Sequence, residues 1–343
     1  MSKDLRRIAP DKMKEVLYRL FSIHGFSGPK AGFLARIHTE SSLDGVNSHG
    51  INRVALFIDY VEKGVVRAEA EAEMGSSMGS MERWEGHRGP GIINASKCTS
   101  RAVELARHHG MGLVALRNTN HWMRGGTYGW QAAGEGCMAI LFTNTIANMP
   151  PWGGRESRIG NNPLIIAIPR KGDQHVVLDM ALSQFAFGKI HDHMLRGEEL
   201  SFPGGWNAQD QLTKDPDSIL ASERGLPIGY WKGSALSMVL DMLATLLSAG
   251  DSTGVITSRG LETGISQVFL CLYPELLGQK DMQDKLLEEI IGYTKAVQPM
   301  DPGGKVFYPG ERTWLTRQRN LEEGIPVSEK IWNKVVSLAN TPL

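Results

Sequence analysis

The sequence predicts a mixed α/β fold, and three observations carry that prediction. Both ends of the chain repeat apolar residues at helical spacing. The middle alternates short apolar runs with helical segments. The composition is that of an ordinary globular protein, with 343 residues of which 41% are hydrophobic and 22% charged. A chain of this length buries a sizeable core as one large or two ordinary domains.

At the start, Met13, Val16, Leu17 and Leu20 form a helical stripe within residues 13–23. Ser27 is a suitable N-cap for a second helix over 29–42, and Ser48 for a third. The third would bury Ile51, Val54, Ala55, Ile58 and Val61 and stop at Gly64. In the middle, strands are expected at 112–117, 137–143, 164–169, 175–180 and 268–273. Helices are expected at 95–108, 127–133, 187–196 and 234–248, the last with an apolar series of Leu236, Val239, Leu240, Leu243 and Leu247. Residues 197–229 are rich in Gly, Pro and Asp and read as a long loop region. An amphipathic helix over 284–297, an irregular Pro/Gly stretch over 298–310 and two short helices complete the chain. The simplest assembly joins the helical ends, residues 1–75 and 298–343, into one lobe around a central α/β lobe, residues 76–297.

Several function classes are disfavoured. The 37 basic and 37 acidic residues balance to zero, with no basic stripe for nucleic acid. The most apolar stretch, residues 234–249, contains Asp241 and is too short to span a bilayer. The N-terminal residues are charged and lack the apolar core of a signal peptide. Three scattered cysteines, Cys98, Cys137 and Cys271, fit buried thiols in a reducing cytoplasm.

Two segments satisfy GxGxxA, starting at Gly110 and Gly134. A Rossmann fingerprint follows a strand and opens a helix, because the pyrophosphate rests on the helix N-terminus. Here each glycine pair follows an expected helix and precedes an expected strand. These are helix-ending glycines, and a nicotinamide cofactor would have to be held in another way.

The strongest chemical candidate is Asn47-Ser48-His49-Gly50-Ile51-Asn52-Arg53. With Ser48 as N-cap, His49 and Arg53 lie one helical turn apart on one face. An arginine grips a carboxylate and a histidine gives a proton to a carbonyl oxygen, which suits a 2-keto acid. The same spacing also suits a capping serine, a surface histidine and a solvated arginine. A second candidate, residues 117–129 with Asn120, His121 and Arg124, follows a strand and ends in a glycine turn, as pocket-lining segments do. His191 and His193 would point apart on a helix, so no metal site is expected. Trp231-Lys232-Gly233-Ser234 opens a helix and could meet a phosphate or simply be a solvated cap.

Ser48-His49-Gly50 with Arg53, Asn120-His121, Gly160-x-Asn162-Pro163 and Asp179-Met180-Ala181 together resemble the type-2 malate/L-lactate dehydrogenase family. The resemblance runs over nearly the whole chain. A narrower match, to a branch acting on a diketo sugar acid, is carried by MPPWGG (149–154), HWMRGG (121–126) and GYWKGS (229–234). The resemblance implies a non-Rossmann fold with a cofactor lobe on a mixed, largely antiparallel sheet, and a homodimer. It implies a catalytic His49 as proton donor, with Ser48, Arg53 and His121 binding substrate. It implies cofactor contacts from His175, Val176, Val177, Leu178, Asp179, Met180 and Ala181, from Trp231 and Lys232, and from Gly310, Glu311 and Arg312. Asp179 would also be placed to orient His49. NADH is the implied cofactor, with NADPH the alternative. Other small 2-hydroxy acids of malate, lactate or sulfolactate type, a cyclic imino acid, and a non-catalytic nicotinamide-binding protein are the competing readings. Asn161 and the segment 41–47 depart from the family pattern.

Overall fold

The computed structural model describes residues 5–340; residues 1–4 and 341–343, at the outer ends of the expected terminal lobe, lie outside the described residues. The chain begins with strand β1 (Leu5–Ile8), then α1 (Pro10–Ile23) and α2 (Gly28–Leu43), each opened by a proline in its first turn. Two 3-10 turns, Asn47–His49 and Ile51–Arg53, lead into α3 (Val54–Glu62). A hairpin follows, β2 (Glu73–Met78) and β3 (Met81–Glu85). Then come α4 (Gly91–His109), β4 (Met111–Thr119), α5 (Gly126–Gly134) and β5 (Met138–Thr143). The ribbon β6 (Ala147–Met149) and β7 (Ile159–Gly160) precedes β8 (Leu164–Ile168) and β9 (Val176–Met180). Helix α6 (Phe187–Arg196), strands β10 (Gly205–Trp206) and β11 (Leu212–Thr213) and helix α7 (Pro216–Ser222) come next. The chain ends with α8 (Trp231–Ser248), α9 (Thr253–Ser258), β12 (Ile265–Leu272), α10 (Lys280–Lys295), α11 (Glu311–Glu323), β13 (Ile325–Ser328) and α12 (Glu329–Asn340).

The main sheet has seven strands in the order β2-β3-β4-β12-β5-β8-β9. The β3–β4 pair is parallel and the other neighbours are antiparallel, so the sheet is mixed and largely antiparallel as expected. The two ends of the chain meet: β1 pairs antiparallel with β13. One apolar cluster gathers Leu17, Leu20, Leu34 and Phe57 with Ile325, Trp332 and Val335. A second, separate cluster lies between the sheet and helices α4 and α5, around Leu116, Trp122, Tyr128 and Phe269.

Of the GxGxxA glycines, Gly110, Gly134 and Gly136 are helix ends, whereas Gly112, expected as one too, lies within β4. Gly110 caps α4 with φ 83°, and Gly136 follows α5 with φ 81°, a left-handed backbone that favours glycine. Gly112 begins the packing of β4 under α4, where a Cβ would come 2.2 Å from Ala102 O.

Four expectations need correction. The third helix begins at Val54, not at Ser48, because Gly50 breaks the backbone with φ −107° and ψ −121°. Ser48 is therefore not its N-cap. The 197–229 region is not one long loop: it holds β10, β11 and α7, ordered by the Asp215 cap and a small core of Phe185, Ile190, Leu200 and Ile219. The polar strand β2 and the four-residue β1 and β13 escaped pattern reading because they are short or carry little apolar alternation. Finally, α8 packs inward through Gly233, Ser237, Leu240, Ala244 and Ser248, while Val239 and Leu243 face outward.

Candidate active site

The turn that carries His49 is built on α2. Ile51 N–H donates to Ser42 Oγ at 2.8 Å, and His38 Nδ1–H donates to Gly50 O at 3.3 Å. Only a glycine fits at position 50, since a Cβ there would lie 2.1 Å from Ser42 Oγ and 2.9 Å from His38 O. Asp44, at the end of α2, binds two arginines: Arg317 Nη1 donates at 2.8 Å from α11, and Arg124 donates from the segment before α5. One buried carboxylate thus ties the His49 turn to both a C-terminal helix and the central sheet region.

The second segment leaves β4 with Asn120 buried. Asn120 Nδ2 donates to Arg88 O at 2.7 Å and to Gly89 O at 3.1 Å. The Met123 N–H donates to His121 Nδ1 at 2.9 Å, with Met123 in the left-handed region at φ 64°. The neutral His121 ring therefore carries its proton on Nε2. The rings of His49 and His121 stack with centroids 5.6 Å apart and planes 22° apart.

Strand β9 is the edge of the main sheet and supplies the third wall. Asp179 Oδ2 accepts the Gly126 N–H at the start of α5 at 2.9 Å and lies 3.7 Å from Arg124 Nε. A helix N-terminus is a favourable place for a carboxylate. A Cβ at Gly126 would lie 2.6 Å from Asp179 Oδ2, so a side chain there would push this carboxylate away. Opposite, Pro309 O accepts the Val177 N–H at 2.9 Å, laying the 309–310 turn along the strand.

These three segments enclose a cavity of about 400 Å³. Of the substrate-site residues expected from sequence, Ser48, His49 and His121 line it. Of the expected cofactor residues, Val177, Leu178, Asp179, Ala181 and Gly310 line it. His175 lines a neighbouring cavity of about 750 Å³ that meets the first at Thr313. Val176, Met180, Glu311 and Arg312 do not line the first cavity. Trp231 and Lys232 open α8 elsewhere and are exposed. Arg53, the fourth expected substrate residue, does not line this cavity; its Nη2 lies 3.8 Å from Glu262 Oε2. His49 and Arg53 share the site, but through two 3-10 turns rather than one helical face.

The electrostatics follow from burial. Burial pushes the His49 imidazole down to about 4; Asp179 opposes this, while Arg53 and Arg124 reinforce it. Burial, with Arg53 and His49 as neighbours, holds His121 well below the usual histidine range. Burial raises the Glu262 carboxyl, and Arg53 and the Ile146 N–H offset part of that.

Sequence reading does not single out Asp44, Arg317 and Glu262, which do not line the cavity but bond or lie close to residues of the segments around it. None lies in a motif, and each enters only through tertiary contact. Among the described residues no group of three potential metal ligands comes together, and no helix is long and apolar enough to cross a membrane.

Residues 8–336 match the family described as malate/L-lactate dehydrogenase. The chain is 40% identical over 333 residues to a protein of Citrobacter koseri named 2,3-diketo-L-gulonate reductase, covering 97% of this chain and all of that one. It is equally similar, 40% over 333 residues with the same coverage, to a protein of the same name from Salmonella paratyphi C. Among solved structures, a putative malate/lactate dehydrogenase from E. coli superposes with a TM-score of 0.91 at 26% identity, over 98% of this chain and 96% of that one. The malate dehydrogenase of Entamoeba histolytica shares the fold, with a TM-score of 0.93 at 22% identity over 99% of both chains. The chain belongs to the malate/L-lactate dehydrogenase family, a family of oxidoreductases.

Proposed function

We propose that this protein reduces 2,3-diketo-L-gulonate to 3-dehydro-L-gulonate with NADH. The observation that carries the reading is the stacked His49–His121 pair in a cavity walled by the edge strand β9, in a chain 40% identical along its length to reductases of that name. The cavity suits a nicotinamide ring: an edge strand offers backbone N–H and C=O groups, and Leu178 and Ala181 add apolar wall. In this reading Val177, Leu178, Asp179, Ala181 and Gly310 hold the ring end, with His175, Val176, Met180, Glu311 and Arg312 beside them. Trp231 and Lys232 are carried over from the family resemblance alone.

A reduced nicotinamide held by these residues would supply the hydride for C2 of the keto acid. His49 gives the proton that the forming alkoxide needs, and Asp179 favours its charged form. Arg53 receives the substrate carboxylate, and Ser48 and His121 orient the carbonyl group. Residues 1–75 with 298–343 act as the lobe that delivers His49, and residues 76–297 as the lobe that holds the cofactor. The enzyme works as a homodimer. Its three unpaired, buried cysteines accord with the cytoplasm.

The test is NADH oxidation, followed by absorbance, with 2,3-diketo-L-gulonate, pyruvate, oxaloacetate and a cyclic imino acid, repeated with NADPH. Highest kcat/KM for diketogulonate with NADH is expected. Turnover confined to another acid would withdraw the substrate while leaving the catalytic residues as assigned.

A further inference from the structure

Glu262 belongs to none of the motifs that pointed to the site, yet it faces two of its residues. It sits in the short loop between α9 and β12, flanked by Gly260 and Gly264 with φ of 69° and 71°. The loop is pinned. Thr263 Oγ1 donates to Asn120 Oδ1 at 2.9 Å, and Arg259 Nη1 donates to Thr263 O at 3.2 Å. Because Asn120 precedes His121, the first bond fixes this loop against the segment that bears the histidine. The Ile146 N–H donates to Glu262 Oε1 at 3.4 Å.

The other oxygen lies near two of the proposed substrate-binding side chains. Glu262 Oε2 lies 3.8 Å from Arg53 Nη2 and 4.0 Å from His121 Nε2. Among the described residues it is the carboxylate within 4 Å of either group. With Nδ1 of His121 occupied by the Met123 N–H, it is the protonated Nε2 that faces Glu262. Arg53 has five N–H donors, so a carboxylate along one edge of the guanidinium leaves others for a substrate.

We propose that Glu262 is a positioning residue that orders Arg53 and His121 for the incoming 2-keto acid. The proposal rests on the substrate-binding roles given to those two side chains above. Without the carboxylate, the partly exposed guanidinium has no fixed counter-charge and swings into solvent, and ordering it again falls on substrate binding. The effect belongs in KM for the keto acid and not in cofactor binding.

The experiment is steady-state kinetics of full-length Glu262→Gln and Glu262→Ala with the keto acid that the wild type turns over, with circular dichroism to check folding. Both substitutions are expected to raise the keto-acid KM about tenfold, lower kcat less, and leave the NADH KM within about twofold. The glutamine keeps the shape and the Ile146 contact but not the charge, so it should rescue little. Added to Arg53→Ala, Glu262→Gln should cost less than about twofold more. A folded Glu262→Gln enzyme with wild-type KM would overturn the proposal. So would full additivity with Arg53→Ala. If Arg53→Ala and His121→Ala themselves leave KM unchanged, the roles of those residues fall first, and this proposal falls with them.

Discussion

His49 presents an acid–base problem that the site has to resolve. Burial pushes its imidazole down to about 4, which favours the neutral form at ordinary pH. Reduction needs the protonated form, whereas oxidation of the hydroxy acid needs the neutral one. The sign of the pH dependence follows. Between about pH 8 and pH 5, kcat/KM for keto-acid reduction should rise as pH falls, because the protonated fraction grows. Over the same range kcat/KM for hydroxy-acid oxidation should hold, and it should fall only below that range, as pH approaches 4. Stopped assays in both directions across that range measure this. His49→Ala should lose roughly 100-fold or more in turnover and lose the slope, while still quenching NADH fluorescence. A folded His49→Ala enzyme with normal turnover would remove the histidine from the chemistry.

At the scale of elements, the decisive piece is the broken turn between α2 and α3. Gly50 lets the chain pass close over Ser42 and His38, so His49 projects into the cavity instead of continuing a helix. Gly50→Ala should cost about 1–3 kcal/mol of stability, since neither Ser42 nor the α2 backbone can withdraw freely. It should also reduce turnover by displacing His49. Thermal denaturation and kcat on one preparation test both, and an unchanged Tm with unchanged kcat would show that the turn tolerates the methyl group. This turn also marks where sequence reading fails. The spacing of Ser48, His49 and Arg53 predicts one continuous helix, whereas the chain makes two 3-10 turns there. The apolar spacing of α1, the N-cap signal of α2 and the short apolar runs of β5, β8 and β12 are legible because each is a local pattern. Asp44 and Glu262 are not, because their meaning comes from Arg317, Arg124 and Arg53, brought in from distant parts of the chain. The 197–229 region misled for a different reason: its glycines and prolines punctuate short elements instead of marking an open loop.

For the whole molecule, α8 is the element that a single chain leaves unfinished. Its small residues Gly233, Ser237, Ala244 and Ser248 lie against the sheet. Its large apolar side chains Met238, Val239, Met242, Leu243 and Leu246 point outward, with Leu246 72% exposed. A surface helix ordinarily shows the reverse arrangement, and a contiguous outward apolar stripe is costly in water. A second copy seated on this face would bury it, and a symmetric dimer is the commonest way for a soluble chain to do so. Light scattering should therefore give a dimer mass at micromolar concentration. Replacing Met242 and Leu246 together by lysine should shift the mass toward the monomer, because each new charge would be buried without a partner. The same variant should keep its circular dichroism spectrum, since neither side chain supports the fold from outside. A dimer that survives both lysines would place the contact elsewhere, and a wild-type monomer would leave the outward face of α8 without a partner of its own kind.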